Sequence, residues 1–154
     1  MEKDCFQPRN AGEEFGFLIW QIMKYWQRGK HRLLDEFGIT ASQMEILSAI
    51  YHLNQEGQEV PQILVSNMTN VDPMTTSTIM RNLQKKKLIS RRASKNDTRA
   101  RVVEITEKGA DVLQRAMEKV KGSTAQLLKE VDEEALKTQL RELLNALIKL
   151  NQQN

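Results

Sequence analysis

The chain has 154 residues, 40% of them apolar and 28% charged, and a formal net charge of +3. That length and balance suit a single compact unit with a sizeable core, and they exclude a disordered chain or a pair of enzyme domains. The densest apolar run, Phe17-Leu18-Ile19-Trp20, is far short of a membrane span, and the opening MEKDCFQPRN lacks the basic-then-apolar order of a secretory signal, so no membrane partner and a cytoplasmic location are expected.

A first helix is expected from about Gly12 to Glu36. Phe15, Leu18, Ile19, Ile22 and Trp26 recur at helical spacing, and Phe17, Trp20, Met23 and Tyr25 widen the apolar surface beyond one stripe. A helix of that kind packs on more than one side or lines a pocket. Gly38 can end it, and Thr40-Ala41-Ser42-Gln43 reads as a capping box opening a second helix that buries Met44, Leu47, Ile50 and Leu53.

After the polar turn NQEGQE, Pro61 suits the first position of a short third helix whose Leu64, Val65 and Met68 face inward. Asp72-Pro73, an acid cap before a proline, starts a fourth helix running to about Lys87. Thr76, Ile79, Met80 and Leu83 share one side of it, and Thr75, Ser77, Thr78, Arg81 and Asn82 lie towards the other. Two short helices joined by a brief turn, the second with a small polar and basic outer face, make a helix-turn-helix. Serine and threonine near a helix start often bond only their own backbone. A face so free of bulk nevertheless fits a major groove, where Arg81 and Asn82 can donate to base edges and threonine methyls can meet thymine methyls.

Leu88 to Ala93 and Arg101 to Ile105 are partly alternating runs that form a hairpin, with Val103 and Ile105 to one side and Val102 and Glu104 to the other. The loop between them is a wing: Lys95, Asn96, Arg99 and Arg101 could reach phosphates or a narrow minor groove, and the short carboxylate of Asp97 can hold Arg99 in place. The charge is concentrated here. Residues 81 to 101 carry nine Lys or Arg against one acid, a net +8, whereas the remainder holds 14 bases against 19 acids. Such a field attracts polyanions, and Lys85, Lys86, Lys87, Arg91 and Arg92 would supply mainly phosphate attraction or the general field.

Thr106 caps the next helix, roughly Glu107 to Glu130, with Leu113, Ala116, Met117, Val120, Thr124 and Leu127 on one stripe. Asp132 caps a last helix whose seam is Leu136, Leu140, Leu143, Leu144, Leu147 and Leu150. A leucine-rich helix beyond the hairpin needs a partner. The fold class is therefore mainly α with a small β-hairpin wing: a winged helix-turn-helix over 40–105 and helical regions at 12–37 and 107–150, within one unit of 1–154.

With these residues in place the chain resembles the multiple-antibiotic-resistance regulator (MarR) family. Thr40-Ala41-Ser42-Gln43 before Ile46-Leu47 matches the opening of the family's second helix. Asp97-Thr98-Arg99 matches its D-x-R wing, and Ile105-Thr106-Glu107-Lys108-Gly109 matches its L-T-x-x-G junction with Ile for Leu. The resemblance covers roughly Glu14 to Leu150. It implies a homodimer with interleaved terminal helices, DNA with a near-palindromic operator as partner, and repression of transcription relieved by a small lipophilic or phenolic effector or by an oxidant. Lys87 stands where many relatives have glycine, and Thr78 where a basic residue is common.

Other chemistries find less support. Cys5 invites a thiol-based redox-sensing reading, but it lies beside Asp4, without the neighbouring bases that lower a thiol pKa. His31 and His52 show no metal-ligand spacing, so no metal or cofactor is expected. There is no phosphate loop, nucleophile motif or paired-carboxylate setting, so no catalytic residue is assigned and no enzyme is expected. Met44, Met68, Met80 and Met117 are expected in the core. The alternative from another class is a winged-helix adapter whose basic surface binds an acidic protein.

Overall fold

The computed structural model describes residues 10–57, 59–94 and 101–152. Cys5 and the wing residues Lys95, Asn96, Asp97 and Arg99 lie outside them. The element order is α1 (Ala11–Asp35), α2 (Ala41–Asn54), α3 (Gln62–Thr69), α4 (Pro73–Lys85), β1 (Ile89–Ala93), β2 (Arg101–Ile105), α5 (Glu107–Leu128) and α6 (Glu133–Gln152). The architecture is the mainly helical winged helix-turn-helix anticipated from sequence. The chain divides within α5 into two compact units, one ending at Ala116 and the other beginning at Met117.

Five helices start where a side chain can satisfy amides that have no intrahelical partner, α5 among them through Thr106, which accepts from the Gly109 amide at 3.0 Å. Asn10 accepts from the Glu13 amide at 2.9 Å. Thr40 and Gln43 form the reciprocal capping box at 3.2 Å in each direction. Asp72 accepts from the Thr75 amide at 2.9 Å with Pro73 at the first helical position, and Asp132 accepts from the Ala135 amide at 3.0 Å. Gly38, at φ +64°, turns the chain between α1 and α2.

The core of the first unit is built around α2. Ile46, Leu47, Ala49 and Ile50 are buried there together with Leu34 of α1, Val65 of α3, Met80 and Leu83 of α4, and Leu113 and Ala116 of α5. Full burial of each large aliphatic side chain is worth about 1.5–3 kcal/mol, so this cluster carries the unit.

β1 and β2 pair antiparallel, Ile89 opposite Ile105 and Ala93 opposite Arg101. The outer edge of β2 is also occupied. The Val103 amide donates to the Val60 carbonyl at 2.9 Å, and Pro61 bridges Val102. The Asn54 side chain donates to the Val103 carbonyl at 3.3 Å and accepts from the Ile105 amide at 2.8 Å. Because of this covering Val102 is buried as fully as Val103, and of residues 102–105 only Glu104 is exposed.

Three expectations are corrected. Pro61 caps α3 and does not begin it, because its ψ of 144° is extended where the strand bridge forms. Consequently α3 buries Val65 and Ser66, while Leu64 and Met68 are exposed. Of the four methionines placed in the core only Met80 is fully buried; Met44 is half-buried, and Met68 and Met117 are exposed.

Lys87, in the turn between α4 and β1, has φ +61°. The left-handed conformation costs a non-glycine residue about 1–2 kcal/mol, more than glycine loses in backbone entropy. Lys87→Gly is therefore expected to raise the unfolding free energy in urea by about 0.5–1 kcal/mol. An unchanged or lower urea midpoint would show that the lysine side chain offsets the strain.

In the second unit α6 buries no residue, and Leu136, Leu140, Leu144, Leu147 and Leu150 are exposed along it. On α1, within the first unit, Phe15, Leu18, Trp20, Ile22, Met23, Tyr25 and Trp26 are also exposed. Among the described residues no helix is long and apolar enough to cross a membrane.

Candidate nucleic-acid interface

The turn between α3 and α4 is held from inside. Asn70 takes the left-handed conformation at φ +52°, and the Val71 carbonyl accepts from the Ser66 hydroxyl at 2.6 Å and the Thr76 hydroxyl at 3.2 Å. Thr76 is thereby buried as a structural residue, and with Met80 and Leu83 it fixes which side of α4 faces the core. Thr75, Thr78, Arg81 and Asn82 are consequently exposed together, and Ser77 is half-buried at their margin. Arg81 lies along the helix, donating to the Thr78 hydroxyl at 3.1 Å. Hydrogen bonds from the Thr75 side chain and then its backbone hold the Asp72 carboxyl below the usual carboxylate range, so the cap stays ionised.

Met74, 83% exposed at the start of α4, was missed by the sequence reading. The available signal was its position: an apolar residue on the first turn, outside the Thr76–Met80–Leu83 stripe.

The basic residues divide by what holds them. Lys86 donates to the Gly38 carbonyl at 2.6 Å and to Gln43 at 2.8 Å, tying the end of α4 to the α1–α2 corner. Arg92 is held by two carboxylates at 2.7 Å, Glu59 and Glu104. Both were expected to serve phosphate attraction or the general field, and both also bond within the fold. Bonds to Glu59 and then to Glu104 raise the Arg92 pKa.

Arg91 donates to Gln62 at 2.8 Å, and its buried Nε meets no hydrogen-bond partner among the described residues. Burial, and after it the charges of Arg101 and Arg81, lower its pKa, so Arg81 and Arg101 both lie within electrostatic reach of Arg91. Lys85, Lys87 and Arg101 are exposed. The positions of Lys95, Asn96, Asp97 and Arg99 lie outside the described residues.

The helix-turn-helix, its hairpin and the junction into α5 occupy the stretch that the Transcriptional regulator SarA/Rot family model matches, residues 28–116. The chain belongs to the SarA/Rot family of MarR-like regulators. A curated relative agrees: the uncharacterized HTH-type transcriptional regulator YdcH of Bacillus subtilis is 30% identical over 102 residues, 66% of this chain and 69% of the relative. Among solved structures, a Staphylococcus aureus MepR–DNA complex matches with a TM-score of 0.73 at 24% identity, covering 86% of this chain and 97% of MepR. A mutant MarR from E. coli, complexed with operator DNA, matches with a TM-score of 0.69 at 23% identity, covering 88% of this chain and 99% of that one. At such identities the two structures establish the fold. This SarA/Rot-family chain is a winged helix-turn-helix transcriptional regulator.

For this SarA/Rot regulator the described residues contain no group of three or more His, Cys, Asp or Glu placed to hold a metal ion. His31 lies 3.8 Å from Asp35, both exposed on one helix face.

Proposed function

We propose that two copies of this chain form a sequence-specific DNA-binding repressor whose affinity is altered by a small lipophilic or phenolic effector. One observation carries the DNA-reading part: α4 turns Thr75, Thr78, Arg81 and Asn82 outward together while Thr76, Met80 and Leu83 anchor its other side. In this reading Arg81 and Asn82 meet base edges or phosphates, Thr75, Ser77 and Thr78 meet the groove wall, and Met74 adds an apolar contact of the kind a thymine methyl accepts. Arg101, with Lys95, Asn96 and Arg99, works from the wing, oriented by Asp97. The MepR and MarR complexes with DNA lend support from similar folds.

The exposed apolar residues of α1 and α6 favour the dimer, since half-exposed leucines on one helix, and indole and phenol rings on the other, call for a covering surface in water. The terminal helices, 12–37 and 107–150, are the dimerisation region in this reading. Effector control needs a cavity and a ligand that prefers one dimer geometry. An open cleft of about 570 Å³ between α1, α2 and α3, lined by Met44, Ala49 and Met68 together with Lys30, Glu45 and His52, has the size and mixed lining for such a molecule.

Selection from randomised duplex DNA tests the reading. Enrichment of an inverted repeat with half-sites about one helical turn apart is expected. No enrichment at low salt would overturn DNA reading in favour of a protein-binding adapter, and sedimentation as a monomer would overturn the dimer.

A further inference from the structure

Glu59 is an anion on the unit that carries the recognition helix, and simple charge counting makes it a hindrance to DNA. Its contacts point the other way. Glu59 Oε1 accepts from Arg92 Nη1 at 2.7 Å, and its Oε2 accepts from the Ser94 hydroxyl. Both oxygens are therefore used by two residues on the same side of the first strand and its extension. Arg92 reaches across with the rest of its fork, Nε at 3.1 Å and Nη2 at 2.7 Å to Glu104 Oε1, and Nη1 also donates to the Ala93 carbonyl at 3.2 Å. A planar guanidinium bonded along several edges fixes an orientation that a point charge would not.

Glu59 is joined to the recognition elements by the residues that follow it. Val60 accepts from the Val103 amide, and Pro61 bridges Val102 and caps α3. Residues 92 and 94, both held by Glu59, flank Ala93, the register partner of Arg101. The side chain of Glu59 is 21% exposed against 50% for Glu104, so its arm of the clamp is the less screened by solvent and salt.

We propose that Glu59 is a positioning residue for DNA binding: with Arg92 and Ser94 it locks the hairpin to the helix-turn-helix, so that Arg101 reaches a phosphate while α4 occupies its groove. The proposal rests on the DNA-binding reading above. It assigns Arg92 to alignment and not to the phosphate field, and it predicts that removing this negative charge weakens DNA binding.

The experiment measures the affinity of wild type, Glu59→Gln, Arg101→Ala and the double variant for a selected duplex across a salt series. Amide hydrogen exchange of the hairpin without DNA is measured in parallel. Glu59→Gln is expected to weaken binding about tenfold, the size of coupling found within one ionic network. The slope of log affinity against log salt should shrink by about one per copy as the Arg101 contact is lost. In the Arg101→Ala background the same change should cost little further, and exchange at Ala93 and Arg101 should quicken while the thermal midpoint holds. Glu59→Ala, which deletes both acceptors, should lose at least as much. Equal or tighter binding by both Glu59 variants with an unaltered slope, or losses additive with Arg101→Ala, would overturn the clamp and leave DNA binding standing. If the wild type ignores every duplex, the DNA-binding reading and the clamp's role fall together.

Discussion

Gly109→Ala is expected to lower the thermal midpoint of the first unit by roughly 10 °C, corresponding to about 3 kcal/mol of overpacking in a chain of this size. A Cβ on Gly109 would sit 2.0 Å from the Leu88 carbonyl oxygen, 2.9 Å from its carbon and 3.0 Å from Ile105 Cγ1. The oxygen has little freedom to retreat, because it accepts from the Thr106 amide at 3.1 Å and the Thr106 hydroxyl at 3.0 Å. Thr106 in turn caps α5 by accepting from the Gly109 amide at 3.0 Å, and its hydroxyl also donates to the Lys87 carbonyl at 2.9 Å. Threonine and glycine three residues apart are thus one device: the hydroxyl draws the turn between α4 and β1 onto the start of α5, and the missing side chain lets the backbones meet. Differential scanning calorimetry of the variant checks this. A midpoint equal to wild type would mean that α5 shifts without cost, and the junction would not be a fixed corner.

The second large effect is on DNA affinity. Among the described residues from 81 to 101, the exposed cations include Arg81, Lys85, Lys87 and Arg101, and Arg91 adds a partly shielded charge. A dimer that engages three to five of these per copy makes about 6–10 phosphate contacts, so affinity should fall on the order of a thousandfold or more between about 50 and 200 mM salt. Arg101→Ala should reduce the magnitude of the salt slope by about one per copy. Lys86→Gln should leave the slope unchanged, since Lys86 is bound to Gly38 and Gln43. Fluorescence anisotropy over a salt series separates these cases. A flat salt dependence in the wild type would remove phosphate contacts from the account, and equal slope changes in both variants would show that the internal bonds of Lys86 open when DNA binds.

Much of the helix-turn-helix was legible because its signals are local. The capping box at Thr40, the Asp72-Pro73 start and the Thr106 junction each lie within a few residues of the amides they satisfy, so spacing alone reveals them. Lys87 stands where many relatives have glycine, and it takes the positive φ that glycine favours. What stayed hidden depended on chain segments distant in sequence. No period-two pattern shows that Val102 is buried, because Pro61 and Val60, some 40 residues earlier, cover the edge of β2. Leu64 and Met68 fit a helical stripe on paper, but the bridge at Pro61 sets α3 so that Val65 and Ser66 face the core.

The amino-acid sequence by itself determined where α2, α4 and α5 begin, which side of α4 faces the core and where positive charge accumulates, since these follow from backbone hydrogen bonding and residue type within a turn or two. Only the tertiary structure decided which cations are available. Arg91 and Arg92 are adjacent and chemically identical, yet one faces Gln62 and the other lies between Glu59 and Glu104. Side chains alternate across a strand, and whether a given side meets carboxylates or open water is settled by the segments that fold against it.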